Sequence, residues 1–167
     1  MKTPRRQSER AFTLLEALLA AVILAMAVAA IAMPFTAGAQ NEMADARRTL
    51  AVALAQDLME EILAKPFYDD QGATTLGPDG GERSRAQFDN IDDYHGLTEA
   101  PGTIAGADGR IISDPAAVGL SRDVQVAYVY VSGQDTSKPA TLVRVIVTVR
   151  YHGDPVVTLT RMVYAMM

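Results

Sequence analysis

The sequence predicts an α+β fold in which a long N-terminal helix packs on a C-terminal three-stranded antiparallel sheet. Three observations predict this fold. An apolar run at 17–33 is followed by a second helical pattern at 41–65. The composition then changes to Gly, Asp, Pro and Thr over 67–120. From residue 121 onward, apolar side chains recur at every second position, as they do in strands. The length of 167 residues suits one modest domain and one accessory element.

The N-terminal residues are basic, although the whole chain has a net charge of −5. Residues 1–11 carry four basic side chains and a single acidic one, which are Lys2, Arg5, Arg6, Arg10 and Glu9. The remainder carries 11 basic and 19 acidic side chains, a balance that argues against nucleic-acid binding. A basic start before an apolar run is typical of a membrane-targeting element whose first residues stay in the cytoplasm.

The apolar run predicts a helix that spans a membrane. No charged residue occurs from Ala17 to Asn41, and 25 helical residues extend roughly 37 Å, enough to cross a ~30 Å hydrocarbon core. Alanines at i, i+4 spacing form a ridge of small side chains along which another helix could pack, namely Ala17, Ala21, Ala25 and Ala29. The alternative is that the ridge only reflects an alanine-rich composition.

The second helical pattern is amphipathic and follows Pro34 and Gly38, where we expect the helix to kink or loosen. Its apolar stripe has a four-residue repeat formed by Leu50, Leu54, Leu58 and Ile62. Pro66 ends the helix, because the residue before a proline is pushed out of the helical region. We expect this stripe to cover the apolar face of the sheet.

The region 67–120 contains several Gly-rich turn signals, and we expect long loops with one short hairpin there. Alternation then predicts three strands: one at 124–130, a second at 143–151 and a third at 156–165. The turn at 152–155 joins the last two, so the arrangement we expect is an antiparallel meander.

A single carboxylate, Glu16, lies at the entrance to the uncharged span. A carboxylate in a membrane helix costs about 2.5–3.5 kcal/mol on insertion scales, so it calls for a cationic partner or a function. The preceding helical residues offer no such cation. Cleavage between Ala11 and Phe12 would create one, in the form of the new α-amino group at Phe12. This hypothesis balances the charge of Glu16.

These residues resemble the type IV prepilin and pseudopilin family, whose signature is a basic leader, a small residue at the cut, Phe-Thr-Leu-Leu-Glu and an apolar helix. The resemblance covers 10–33. It implies that a prepilin peptidase cuts between Ala11 and Phe12 and methylates the amine of Phe12. It also implies that Glu16 pairs with a neighbouring subunit's amine during assembly. The residue before the cut departs from the family pattern, since Ala11 stands where glycine is usual.

A second resemblance concerns the position of the protein in a filament. Residues 54–67 and 88–97 are similar to minor pilins of the MSHA D type, with type II secretion pseudopilins as the competing class. The resemblance implies a leader at 1–11, a transmembrane assembly helix at 12–40 and a periplasmic pilin-like α+β domain at 41–167. It implies a minor subunit, not an enzyme, anchored in the inner membrane by one span before entering a pilus or pseudopilus. Its partners would be other pilin subunits, the prepilin peptidase and an inner-membrane assembly platform.

Two alternatives leave Glu16 unexplained. One is a secretory signal peptide cut at the Ala-x-Ala-like site at 36–40, and the other is a plain signal anchor. In either case the rest of the chain would be a periplasmic binding domain unrelated to filaments. An enzyme is not predicted, because no nucleophile elbow, phosphate-binding glycine loop or paired carboxylates occur in the sequence. Arg144 and Arg150 on one strand face are too few for a DNA-binding stripe.

No cofactor is expected, with calcium as the single alternative. Asp89, Asp92 and Asp93 are candidate calcium ligands, since carboxylates on a turn-rich loop supply hard oxygen atoms. The competing interpretation is an ordinary solvated acidic loop. His95 and His152 are isolated in loop or turn contexts, and we expect both on the surface. The chain has no cysteine, which excludes disulfides and thiolate metal sites.

Overall fold

The computed structural model describes residues 13–68, 75–135 and 139–165. The described residues form one long helix, three short 3-10 turns and four strands: α1 at Leu14–Leu63, β1 at Thr98–Glu99, β2 at Leu120–Val129, β3 at Leu142–Tyr151 and β4 at Asp154–Tyr164. The chain divides into two compact units between Met43 and Ala44. The α+β fold predicted from the sequence is confirmed.

Helix α1 continues through Pro34 and Gly38. It ends at Leu63, two residues before the predicted end, and Pro66 follows at the position where a helix cannot continue. Strong helix formers, prominently alanine and leucine, dominate the sequence of α1, so the entropy cost of forming this helix is low per residue. In the first unit, Leu14–Ala32 is long and apolar enough to cross a membrane, and none of that segment is buried within the chain.

The sheet is antiparallel, with the strand order β1-β2-β3-β4. The predicted three-stranded meander corresponds to β2, β3 and β4. The sheet differs from the prediction by one extra strand, β1, which pairs Thr98 and Glu99 with Asp123 and Arg122. Two residues are too few to show an alternating pattern, so this strand has no signal in the sequence. The β3–β4 pairing is irregular between Val149 and Arg150, where Pro155 opposes Arg150.

The core of the second unit lies between the second half of α1 and one face of the sheet. Three residues of the stripe, Leu54, Leu58 and Ile62, are fully or almost fully buried, and Leu50 is partly buried against the same core. Ala51, Ala55 and Met59 are buried beside them. The sheet supplies valines at alternate positions, namely Val124, Val126, Val143, Val145, Val147 and Val149. The predicted burial of the stripe against the sheet is confirmed.

The loop before β1 also enters this core. Phe88, Ile91 and Tyr94 are buried, and the rings of Phe88 and Tyr94 meet edge to face at 5.0 Å. The Asn90 side chain accepts hydrogen bonds from the backbone N–H groups of Asp92 and Asp93, at 2.9 and 3.1 Å. These bonds satisfy polar groups that the fold removes from water. The segment is therefore ordered core structure and not only a surface loop.

Candidate functional site

The N-terminal motif begins, within the described residues, at Thr13. The Thr13 carbonyl accepts hydrogen bonds from the N–H groups of Glu16 and Ala17 at 3.0 and 3.1 Å. The Thr13 hydroxyl also accepts from the Glu16 N–H, at 3.3 Å. Thr13 is thus the N-cap of α1, and Glu16 follows at the third helical position, as in a capping box. The predicted processing residues, Ala11 and Phe12, lie outside the described residues.

Glu16 is exposed on the first turn of α1, where the helix dipole favours a negative charge. Among the described residues, its carboxylate has no ion-pair partner. The predicted alanine ridge is exposed as well, at Ala17, Ala21, Ala25 and Ala29. This half of the helix therefore offers an apolar surface with a single acidic group at its start. Pairing of Glu16 with an amine and helix packing along the ridge stay predictions.

The predicted calcium ligands separate in the structure. Asp89 and Asp93 lie near Glu82, with one carboxylate oxygen from each of the three within 4.8 Å of the others. The Asp93 carboxylate also accepts hydrogen bonds from the N–H groups of Asp89 and Asn90, at 2.9 and 3.0 Å. Asp92 is not in this group, since its carboxylate accepts a 2.7 Å hydrogen bond from the Tyr128 hydroxyl.

Local backbone geometry separates the side chain of Asp92 from that of Asp93. Asp92 and Asp93 start a 3-10 turn, where successive side chains project about 120° apart and cannot face one site. Desolvation raises the pKa of Glu82, and the carboxylates of Asp93 and Asp89 raise it further. Sequence reasoning missed Glu82, which lies seven residues before Asp89. Acidic groups of this kind are common without an ion, so calcium stays an untested alternative to the expectation that the chain has no cofactor.

The two histidines differ in environment. His152 is exposed, as predicted, in the tight turn between β3 and β4, with a φ of 50°. His95 is half-buried, and its Nδ1 accepts a hydrogen bond from the Val126 N–H at 3.2 Å. The His95 side chain thus bonds to the edge of β2 beyond the residues that pair with β1. His95 is only partly exposed, and its bond to β2 was not predicted, because a loop histidine carries no sequence signal for bonding to a strand edge.

A buried charge network joins the helix, the loops and the sheet. Arg122 on β2 donates from Nε to Glu99 Oε2 at 2.6 Å and from Nη1 to the Leu54 carbonyl of α1 at 2.8 Å. Arg85 forms a bidentate pair with Glu61 of α1 and also bonds Glu99, at 3.1 Å. The Tyr94 hydroxyl donates to Glu61 Oε1 at 2.8 Å. Two acidic and two basic groups thus balance one another.

The environment shifts the pKa values of these groups. Burial raises the pKa of the Glu61 carboxyl, but the bonds from Arg85 and Tyr94 outweigh burial, so the net pKa lies below the ordinary value for glutamate. Burial lowers the pKa of Arg122, which nevertheless stays charged because guanidinium ionises far above neutral pH. Burial and the bond to Glu61 raise the pKa of Tyr94. Each group is satisfied by protein partners, so the network serves stability and leaves no free group for chemistry.

The comparisons with known proteins agree with the N-terminal motif. The family model for the prokaryotic N-terminal methylation motif matches residues 6–32. This segment contains the predicted cut, Glu16 and most of the apolar span. No curated protein and no solved structure matches the chain. The more detailed resemblance to minor pilins of the MSHA D type therefore stays a prediction. The motif match at residues 6–32, together with the α+β fold, supports a similarity of this chain to type IV prepilins and pseudopilins.

Proposed function

We propose that the chain is a minor structural subunit of a type IV pilus or a type II secretion filament. The observation that carries the proposal is the methylation motif at 6–32, with Glu16 as the one charged residue at the start of an uncharged 25-residue stretch. In lipid this charge is costly, and an amine supplied by a neighbouring helix would offset it on assembly. Members of the motif family are structural subunits, so no enzymatic activity is proposed.

In this proposal the precursor is held in the inner membrane with residues 41–167 in the periplasm. A prepilin peptidase removes 1–11 and methylates Phe12. Other pilin subunits and an inner-membrane assembly platform then take the chain from lipid into the filament. The support is the motif, the basic N-terminus and the exposed apolar segment Leu14–Ala32.

The N-terminal mass of the chain recovered from its host cells tests the proposal. A chain that starts at methylated Phe12 is expected. Ala11→Gly, which restores the usual family residue at the cut, should be processed at least as well, and deletion of the peptidase should leave the full precursor. A mature chain that starts near Gln40 would instead support a secretory signal peptide, and an unprocessed chain a plain anchor.

The minor position is tested separately by quantitative mass spectrometry of sheared filaments. The proposal expects this chain at a small fraction of the bulk subunit. This part rests on the resemblance of residues 54–67 and 88–97 to minor pilins. If the chain proved to be the main component, it would be the bulk pilin, and the processing part of the proposal would still stand.

A further inference from the structure

The first residue of α1 is set by a cap. Helix α1 begins at Leu14, and the carbonyl of Thr13 accepts the hydrogen bonds from the N–H groups of Glu16 and Ala17. The Thr13 hydroxyl accepts a further bond from the Glu16 N–H, at 3.3 Å. An N-cap residue satisfies free N–H groups of the first turn while its own backbone is not helical. In the sequence, the proposed cut between Ala11 and Phe12 comes directly before this capped turn.

The residues before the cap would not stop a helix by themselves. No glycine or proline occurs from Arg5 to Phe12, and six of these eight residues are Arg, Gln, Glu or Ala, all strong helix formers. Ala11, at the cut itself, has the highest helix propensity of any residue type. The cap at Thr13 is therefore the local signal that favours a helix start after the cut over one that runs through it.

The position of the helix start matters for hydrolysis of the peptide bond. Cleavage adds water across the bond: the Ala11 carbonyl carbon gains the oxygen and becomes a carboxylate, and the Phe12 nitrogen leaves as the amine. If the helix ran through the cut, the Ala11 carbonyl would accept from the Leu15 N–H, and the Phe12 N–H would donate to the Ser8 carbonyl. Both sides of the bond would then be held in the helix. Proteolysis of such a segment follows the population of its open form when opening is fast.

We propose that Thr13 is a positioning residue for processing, whose cap keeps the Ala11–Phe12 bond outside the helix and available to the prepilin peptidase. This inference rests on the proposed function, because it assumes that residues 1–11 are removed. It deepens that function by assigning the accessibility of the cut to the hydroxyl of Thr13. In this role Thr13 acts through the backbone of its own chain, so the side-chain oxygen matters and the exact shape of threonine does not.

Cleavage of the purified full precursor by the prepilin peptidase of its host, in detergent micelles, tests the proposal. Thr13→Ser and Thr13→Asn keep a side-chain oxygen that can cap the helix, whereas Thr13→Val keeps the shape of threonine and removes the acceptor. Thr49→Val is the matched control, since Thr49 is an exposed residue within α1. Mass spectrometry of the mature chain gives the initial rates.

The cap-competent variants should be cut at close to the parent rate. Thr13→Val should be cut about fivefold more slowly, the change that corresponds to loss of a cap worth about 1 kcal/mol. Thr49→Val should match the parent. Adding Ala11→Gly to Thr13→Val should restore most of the rate, because glycine opposes the helix by a similar amount. Carbon-13 chemical shifts at Ala11 in the uncut chain should move toward helical values in Thr13→Val and not in Thr13→Asn.

Three results would overturn the role of Thr13 while leaving the proposed function intact. One is a parent and a Thr13→Val variant that are cut at the same rate. Another is a Thr13→Asn variant as slow as Thr13→Val, which would mean that the peptidase recognises the shape of threonine. The third is slow cleavage of Thr13→Val without a change in the Ala11 shifts. A parent that is not cut at all would instead refute the proposed function, and the role of Thr13 with it.

Discussion

The assembly hypothesis depends on a single side chain, that of Glu16. It follows the N-cap Thr13 by three positions and is exposed at the start of the apolar segment. A carboxylate there has two possible roles: it complements the helix dipole, which is worth only about 0.3–1 kcal/mol, or it meets an amine from a neighbour in low dielectric. The second role is stronger, but it exists only after helices have packed together.

Substitution of Glu16 should therefore separate insertion from assembly. Glu16→Ala should insert as well as the parent or better, since a cost of about 2.5–3.5 kcal/mol is removed from the span. Assembly should fail, because a neighbour's amine would be left unpaired in a dry environment. Glu16→Gln, which keeps an acceptor without the charge, should give an intermediate result. Membrane fractionation scores insertion, and recovery in sheared filaments scores assembly. Equal recovery of Glu16→Ala and the parent would refute the pairing role.

Glu61 makes the stability of the folded unit sensitive to acid. Its folded pKa lies below the ordinary value, so its contribution is present above the unfolded pKa of about 4.3 and is lost as the pH falls through the folded pKa. Glu61→Gln should cost about 1.5–3 kcal/mol at pH 7, the range for hydrogen bonds to charged groups. Its unfolding free energy should also fall less between pH 5 and pH 3 than that of the parent.

Denaturant titrations of the detergent-solubilised chain, followed by tyrosine near-ultraviolet circular dichroism, measure both effects. Asp57→Asn is the matched control, because Asp57 is an exposed carboxylate on the same helix. If Glu61→Gln and Asp57→Asn gave the same pH profile, Glu61 would not be the group that couples stability to pH.

At the scale of elements, the second half of α1 packs against the sheet through its apolar stripe. Leu58 is fully buried, whereas Val52, on the same helix, is 36% exposed. Leu58→Ala should cost about 2–5 kcal/mol, through lost apolar burial and a cavity that the valines of the sheet cannot fill. Val52→Ala should cost under about 1 kcal/mol. The same titration compares them, and similar costs for the two would mean that the stripe does not form the main contact.

The elements that were predictable are those whose burial repeats along the chain. The Leu54, Leu58 and Ile62 repeat and the alternating valines of β3 show their buried face directly in the sequence. Strand β1 has only two residues, and it forms because the long-range partners Arg122 and Asp123 are already held in β2. The buried segment around Tyr94 is likewise fixed by contacts distant in sequence, so periodicity could not reveal it.

The candidate sites also differ in whether a local sequence pattern reveals them or whether they depend on contacts between distant residues. Glu16 stands out because one charge interrupts an apolar run, and this is a local signal. The Glu61–Arg85–Glu99–Arg122 network brings together four residues spread over 62 positions, each of which looks like an ordinary surface charge in the sequence. Burial of Arg122 is visible only once β2 and α1 are packed together. Local anomalies are thus predictable, while satisfied charge networks are not.

At the scale of the whole molecule, the two units differ in where their apolar side chains lie. In the first unit, large apolar residues such as Leu15, Leu24 and Phe35 are exposed by 66–76%. In the second unit, the core cluster starts at Ala51 and its buried members continue to Val149. The first unit therefore needs an apolar solvent or other helices to cover it, whereas the second contains its own core.

The second unit should accordingly fold without the first. A fragment of residues 41–167 retains every member of the buried core, including the stripe from Ala51 to Ile62. We expect it to be soluble, to show mixed helix and strand circular dichroism, and to unfold in one cooperative step. A shorter fragment, 57–167, is the control: it lacks Ala51, Leu54 and Ala55 and should not unfold cooperatively, because one face of the sheet loses part of its cover. Limited proteolysis should leave the longer fragment largely intact and degrade the shorter one. A disordered 41–167 fragment would show that the second unit depends on residues before Asn41, and the division of the chain into a membrane helix and an autonomous domain would be wrong.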